Sequence, residues 1–265
     1  MKPRRELNVT VCQLRCGAPL ASEWERLLAH VQQQKSDLLL LPEMPFSAWP
    51  FASQWFDADV WAEAVAAHDV WQERLKEAPV AVAFSRPVIE DGRRLHRAAL
   101  WLPEDEKLIL GHAKAYLPDE TGFWEASWYE PGDRSFEAVS TTVGGEELCL
   151  GYMICTDLWF MEHARHLGEA GIHLLLTPRS TEKRTVDKWL AGGRAAAVIS
   201  GAYSLSSNHY QDEGGPSRLG GLGWIVGPDG EVVALTTPDR PFATATINLT
   251  GAERAKHTYP RYVES

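Results

Sequence analysis

Cysteine is sparse in this chain, with four in 265 residues. Cys12, Cys16, Cys149 and Cys155 form no CxxC pair and show no Cys/His spacing suited to zinc. A disulfide scaffold and a zinc module are therefore not expected, and a reducing, cytoplasmic setting is. Long apolar runs are also missing. No stretch approaches the ~20 residues of a membrane-spanning helix, and the basic opening MKPRRELNVTVCQL leads into no apolar segment of signal-peptide length. Positive charge is short as well: 26 Lys and Arg face 36 Asp and Glu, for a formal net charge of -10. Such a surface would not release counterions from phosphate backbones, which argues against a general nucleic-acid binder. With no repeat and no low-complexity linker, one domain over residues 1–265 is expected.

What is present suits a soluble α/β protein: 45% hydrophobic and 23% charged residues, with eleven tryptophans that can line a pocket as well as a core. Alternation predicts a strand over Leu7–Leu14, and a helix from Ser22 with Glu25 completing a capping box and Trp24, Leu27, Leu28 and Val31 as its stripe. Leu38–Leu41 is a fully apolar strand that runs into Pro42 and Glu43. A second helix, capped by Asp57 or Asp59, reaches about Lys76, and Asp91-Gly92 turns a hairpin between Pro79–Ile89 and Leu95–Leu102. The strand at Leu108–Leu110 leads through Gly111 and His112 to Lys114. An acid- and aromatic-rich loop follows over Leu117–Asp133, and Phe136–Thr142 reads as a strand. Further strands are predicted at Ile172–Leu176, Ala202–Leu205, Trp224–Val226, Val232–Leu235 and Phe242–Ile247, with a helix over Thr185–Ile199 weakened at Gly192-Gly193. The polar tail after Gly251 is expected to leave the core.

The stretch LCLGYMICTDLWFME, Leu148–Glu162, is the most informative. Its first half alternates as a strand buried on both faces, Thr156 and Asp157 are cap-type residues, and Leu158–Gly168 reads as a helix. Cys155 thus falls on a strand-to-helix turn, where free N–H groups can favour a thiolate or a developing oxyanion. Buried structural cysteine is the commoner fate of the residue, and Glu43 and Lys114 taken singly read as surface residues. The three share a position, each closing an apolar strand at its C-terminal end, the rim where ligands gather in α/β sheets.

With these segments in order, the chain resembles the nitrilase (carbon–nitrogen hydrolase) superfamily over nearly its whole length. Leu40–Glu43 is similar to the strand that carries the general base, His112–Pro118 (HAKAYLP) to the catalytic-lysine segment, and Gly151–Glu162 (GYMICTDLWFME) to the nucleophile segment. Glu130–Asp133, Ser207-Asn208 and Gly223–Glu231 stand in the matching order. The resemblance implies a four-layer αββα sandwich, no metal, no cofactor, a small-molecule substrate and a homodimer or larger homo-oligomer. It assigns catalytic roles to Glu43, Lys114 and Cys155, and to a second glutamate for which Glu120 and Glu125 both qualify; counting back from Gly132-Asp133 favours Glu125. Thr156, which follows the nucleophile, falls on the substrate side. Trp159 stands where relatives acting on N-carbamoyl amino acids carry an arginine, and it resembles the N-carbamoylputrescine and aliphatic amidase branches, which Trp189 echoes. Met161 replaces the usual proline of that turn. Arg179, after a strand end, is a candidate anion site. The reaction implied is hydrolysis of a small amide or N-carbamoyl amine, with a nitrilase or a catalytically silent binding protein on the same fold as the alternatives.

Overall fold

The computed structural model describes residues 5–15, 20–211 and 219–263. Cys16 lies outside them. Chain order runs β1 (Glu6–Arg15), α1 (Leu20–Gln34), β2 (Leu38–Leu40), α2 (Ala58–Arg74), β3 (Ala81–Glu90), β4 (Arg93–Leu102), β5 (Lys107–Ala113) and α3 (Glu125–Trp128). The second half is β6 (Val139–Val143), β7 (Glu146–Tyr152), α4 (Met161–Glu169), β8 (Leu174–Arg179), α5 (Val186–Ser200), β9 (Tyr203–Tyr210), β10 (Trp224–Val226), β11 (Val232–Leu235), β12 (Phe242–Asn248) and α6 (Leu249–Ala255).

The strands lie in the order β5-β4-β3-β2-β1-β9-β8-β7-β6, with β12 beside β1 and β10 beside β9. β1 changes sheets along its length. Glu6–Cys12 pair with β12 and Val9–Val11 with β2, whereas Gln13–Arg15 pair with β9. Period-two burial on both faces builds the layers. Leu38 and Leu40 of β2 point into the core between the sheets, while Leu39 and Leu41 point out under α1, against Trp24, Leu27 and Val31. In the second sheet Tyr152 reaches across to donate to the Ala99 carbonyl at 3.2 Å. Its neighbour Gly151 lies under Leu167 of α4, where a Cβ would meet Leu167 atoms at 2.8 Å. Helix, sheet, sheet, helix is the result, the expected αββα sandwich. Each leucine fully buried in these layers contributes about 1.5–3 kcal/mol over an exposed one.

Local physics changed several boundaries. α1 begins at Leu20, before Ser22, so the expected Ser22–Glu25 capping box does not start the helix; its first acid, Glu23, accepts the Arg15 backbone N–H at 2.8 Å. Asp57, not Asp59, caps α2, accepting from Asp59 and Val60. Phe136 is no strand residue: it takes a positive φ of 46° and stacks between His112 and His163, and β6 starts at Val139. Gly192 and Gly193 are no weak point. Added side chains there would meet Trp159 at 3.1 Å and Trp224 at 2.6 Å, so their bareness is what lets the indoles pack on α5. The tail is the largest correction. Leu249, Ala252 and Ala255 of α6 are buried, and Lys256 donates to the Ser200 and Gly201 carbonyls at 2.8 and 2.9 Å, satisfying the C-terminal end of α5. Among the described residues, no helix is long and apolar enough to cross a membrane.

Candidate active site

β2, β5 and β7 end at one rim, and the chain beyond each brings a polar residue inward. Glu43 lies three residues past β2, Lys114 directly past β5, and Cys155 three residues past β7. β7 passes into a short 3₁₀ turn, Cys155–Trp159, before α4 begins at Met161, so the single helix expected from Leu158 is broken at Phe160. Cys155 has φ +47°. A non-glycine residue held there stores strain of about 1–3 kcal/mol, and the conformation turns the side chain off the strand direction.

Asp157 holds this turn. Its carboxylate is fully buried and accepts from Ile154 N at 3.1 Å, Ala115 N at 3.2 Å, Tyr116 N at 3.0 Å and His112 Nε2 at 2.9 Å. One side chain therefore ties the Cys155 turn to the chain just past Lys114. On the other side of the lysine, Lys114 N donates to the His96 carbonyl at 2.8 Å.

Held in this way, the Lys114 ammonium donates to Glu43 Oε1 at 2.8 Å, Glu125 Oε1 at 2.8 Å and Glu125 Oε2 at 2.6 Å. All three side chains are fully buried, and Cys155 nearly so. Burial and the negative Glu125 push the Glu43 carboxyl up to about 7, against the pull of Lys114. Lys114 stays well above the usual lysine range because two carboxylates outweigh its burial, and Glu125 stays below the usual carboxylate range on account of that same lysine and His96. The Cys155 thiol is driven up by burial and by Glu43, with Lys114 and the Ser180 backbone N–H pulling the other way. The thiol thus faces a carboxylate whose own affinity for protons is raised.

A cavity of about 210 Å³ opens on Cys155 and is lined further by Thr156, Trp159, Phe123 and Trp189, with Glu120, Glu182, Arg184 and Lys188 as its charged groups. A larger one of about 470 Å³, by Gly168, Lys256 and Arg261, lies away from it. Trp159 is 43% exposed and leans on Trp189, ring centroids 4.8 Å apart. Glu120 is exposed at the mouth, whereas Glu125 reaches Lys114. Arg179 departs from expectation. Its guanidinium is fully buried over Trp224 and donates to Ser206 Oγ, Thr181 Oγ1 and the Gly221 and Leu222 carbonyls, so it braces the loop beside β9 and offers no open anion site. Glu43, His96 and Glu125 bring ligand-type atoms within 4.8 Å of one another. A metal ion among them would have to displace the Lys114 ammonium.

Two participants escaped the sequence reading. Asp157 reads as a helix cap, because nothing in TDLW distinguishes capping the next turn from bridging to a distant strand. His96 carried little signal, standing in the basic first half of β4 between Leu95 and Arg97, and only the fold puts it beside the carboxylates.

Known proteins resemble this chain in sequence and in fold. N-carbamoylputrescine amidase from Arabidopsis thaliana is 25% identical over 254 residues, 87% of this chain and 82% of that protein. A carbon–nitrogen hydrolase from Helicobacter pylori G27 superposes with a TM-score of 0.77 at 21% identity, covering 97% of this chain and 94% of its own. An amidase from Nesterenkonia sp. AN1, solved with the acetamide moiety of fluoroacetamide added covalently at its active-site cysteine, superposes with a TM-score of 0.72 at 22% identity, covering 95% and 93%. Residues 8–257 match the family profile described as carbon–nitrogen hydrolase, and the chain belongs to that family, within the nitrilase superfamily.

Proposed function

We propose that the chain hydrolyses the non-peptide C–N bond of a small linear amide or N-carbamoyl amine through a thioester on Cys155, releasing ammonia. The observation that carries this reading is the Lys114 ammonium bonded to both Glu43 and Glu125 in a buried cluster beside the cysteine. Amides are poor electrophiles, so a covalent acyl intermediate divides one hard step into two easier ones. Glu43, whose affinity for protons is raised, takes the Sγ proton as sulfur bonds to the carbonyl carbon. The oxygen becomes an oxyanion facing the Lys114 ammonium and the Thr156 backbone N–H, donors worth about 3 kcal/mol each where such groups have been removed. The C–N bond breaks, Glu43 returns the proton to nitrogen, and ammonia leaves. Water then gives a proton to Glu43 and its oxygen to the acyl carbon, and sulfur leaves and regains the proton. Glu125 holds the lysine in place throughout.

The apolar wall and π face of Trp159 favour neutral or amine-bearing substrates over carboxylates, while the charges lining the mouth, Glu120 and Glu182 against Arg184 and Lys188, offset one another; the name of the N-carbamoylputrescine amidase relative agrees with that class. We extend the proposal to a homo-oligomeric enzyme of the cytoplasm. The direct test is ammonia release across amides, ureido compounds and nitriles, with Cys155→Ala as control. A thiol probe should label Cys155, which lines the cavity, far faster than Cys12, which does not. Turnover of nitriles alone would make the enzyme a nitrilase, and no turnover with unselective labelling would leave a binding protein.

A further inference from the structure

The buried cluster is unbalanced in charge. Glu43 and Glu125 bring two negative charges and Lys114 one positive, all at zero exposure. Burying an unmatched charge is costly unless further donors face it. Tyr129, whose hydroxyl lies within the field of both carboxylates, turns its O–H to Met44 Sδ at 3.0 Å instead. The Cys155 thiol faces Glu43, and His96 is the group that faces both carboxylates. Its ring is fully buried and stacks on Tyr129 with centroids 5.0 Å apart, and its Nδ1 lies 3.7 Å from Glu43 Oε1 and 3.9 Å from Glu125 Oε2 with no other partner.

Which ring nitrogen carries the proton follows from Ser85. Its Oγ already accepts the Met44 N–H at 3.2 Å and sits 2.9 Å from His96 Nε2. Among the described residues the hydroxyl proton has no other acceptor than Nε2, so the Nε2 lone pair is taken. The one proton of a neutral imidazole must then sit on Nδ1. The opposite tautomer would point a lone pair at two carboxylates.

We propose that His96 is a positioning residue for the reaction suggested above: its Nδ1–H, turned toward Glu43 and Glu125 by the Ser85 hydroxyl, is the second positive pole that lets both carboxylates stay ionised around one ammonium. The inference rests on the hydrolytic reading for its purpose, though not for its test. The charged and titratable groups around the ring are Glu43 past β2, Lys114 past β5, Glu125 and Tyr129 of the α3 segment, Asp157 of the Cys155 turn and His68 of α2. Burial keeps the imidazole neutral, so it acts as a dipole and not as a second cation.

The experiment compares wild type, His96→Phe, which keeps a flat ring and loses the donor, and His96→Asn, whose amide N–H can stand where Nδ1–H stood. Two readouts are followed against pH: alkylation of Cys155 by iodoacetamide, and kcat/KM on whichever amide is turned over. Removing the donor disfavours the ionised carboxylate, so the acid limb of both profiles should move up by about one pH unit in His96→Phe, a loss of about tenfold on that limb. His96→Asn should move it back. A folded His96→Phe with an unmoved limb overturns the proposal, and so does an Asn variant shifted as far as Phe, which would mean that ring shape and not the donor matters. If the Phe variant does not fold, ¹⁵N spectra of the wild-type imidazoles decide: a neutral His96 protonated on Nδ1 supports the proposal and protonation on Nε2 overturns it. Absence of turnover in wild type would count against the hydrolytic reading alone, since alkylation and the tautomer still judge His96.

Discussion

The Asp157 carboxylate, two residues after Cys155, accepts the backbone N–H of Tyr116, two residues after Lys114, at 3.0 Å. The two sheets thus meet in one side chain at the point where nucleophile and ammonium must keep register. Asp157→Asn should keep the Oδ1 bonds to Ala115 and Tyr116 but turn an NH₂ toward the Ile154 N–H and His112. The expected cost is about 1–3 kcal/mol of stability for unsatisfied buried groups, together with a fall in kcat larger than any change in KM. Denaturant titration and steady-state kinetics check both, and an Asn variant with wild-type kcat would show that the clamp does not position the thiol.

The pH dependence follows from Glu43. Its carboxyl is pushed up to about 7, chiefly by burial, and it must be ionised to accept the thiol proton. Activity should therefore be full above that value and fall about tenfold per pH unit below it. On the alkaline side Lys114 is held above its usual range and stays charged. A kcat/KM profile flat down to pH 5 would contradict Glu43 as the base.

The residues that were legible in the sequence share a physical reason. Glu43, Lys114 and Cys155 each interrupt an apolar run, and a polar group at the end of a buried strand stands out in one dimension. The strands themselves were legible because period-two burial on both faces leaves runs such as LLLL at 38–41. Arg179 interrupts a run as well, and sequence alone cannot tell that its donors are consumed by the Gly221 and Leu222 carbonyls 42 and 43 residues away. His96 and Asp157 were illegible as partners for the same reason, since their meaning lies in contacts between segments that only the paired sheets bring together. The tail misled because polarity was read without its partners: Lys256 is polar in order to satisfy the end of α5.

Lys114 should matter to folding as well as to turnover. Lys114→Met leaves Glu43 and Glu125 buried without their cation, and breaking a buried pair from one side costs about 3–5 kcal/mol. The sign of its pH dependence is fixed by the carboxylates. Without the ammonium their folded-state proton affinities rise above the unfolded values, so the variant is best off when they are protonated and loses stability as pH rises through the raised values. The gap to wild type should be widest at pH 8 and narrow toward pH 5. Urea denaturation at both values tests this, and a gap that widens on acidification would refute the linkage.

On the proposed reading, Trp159 sets the preference for substrate charge. The indole follows the nucleophile by four residues, lines the cavity and is supported by Trp189 and the bare backbone of Gly192. It offers an apolar wall and a π face where a guanidinium would offer two parallel donors for a carboxylate. Arg179 cannot substitute, because its bonds to Ser206, Thr181 and the loop carbonyls hold it in the wall. Wild type should therefore prefer a neutral or amine-bearing amide over its carboxylate analogue by about 10-fold in kcat/KM, roughly 1.4 kcal/mol. Trp159→Arg should narrow or reverse that ratio. Arg179→Ala should leave the ratio unchanged and lower the melting temperature instead, since it strands several buried acceptors. The two variants separate the roles cleanly: a wild-type preference for the carboxylate that Arg179→Ala removes would return the anion site to Arg179 and take specificity away from the indole.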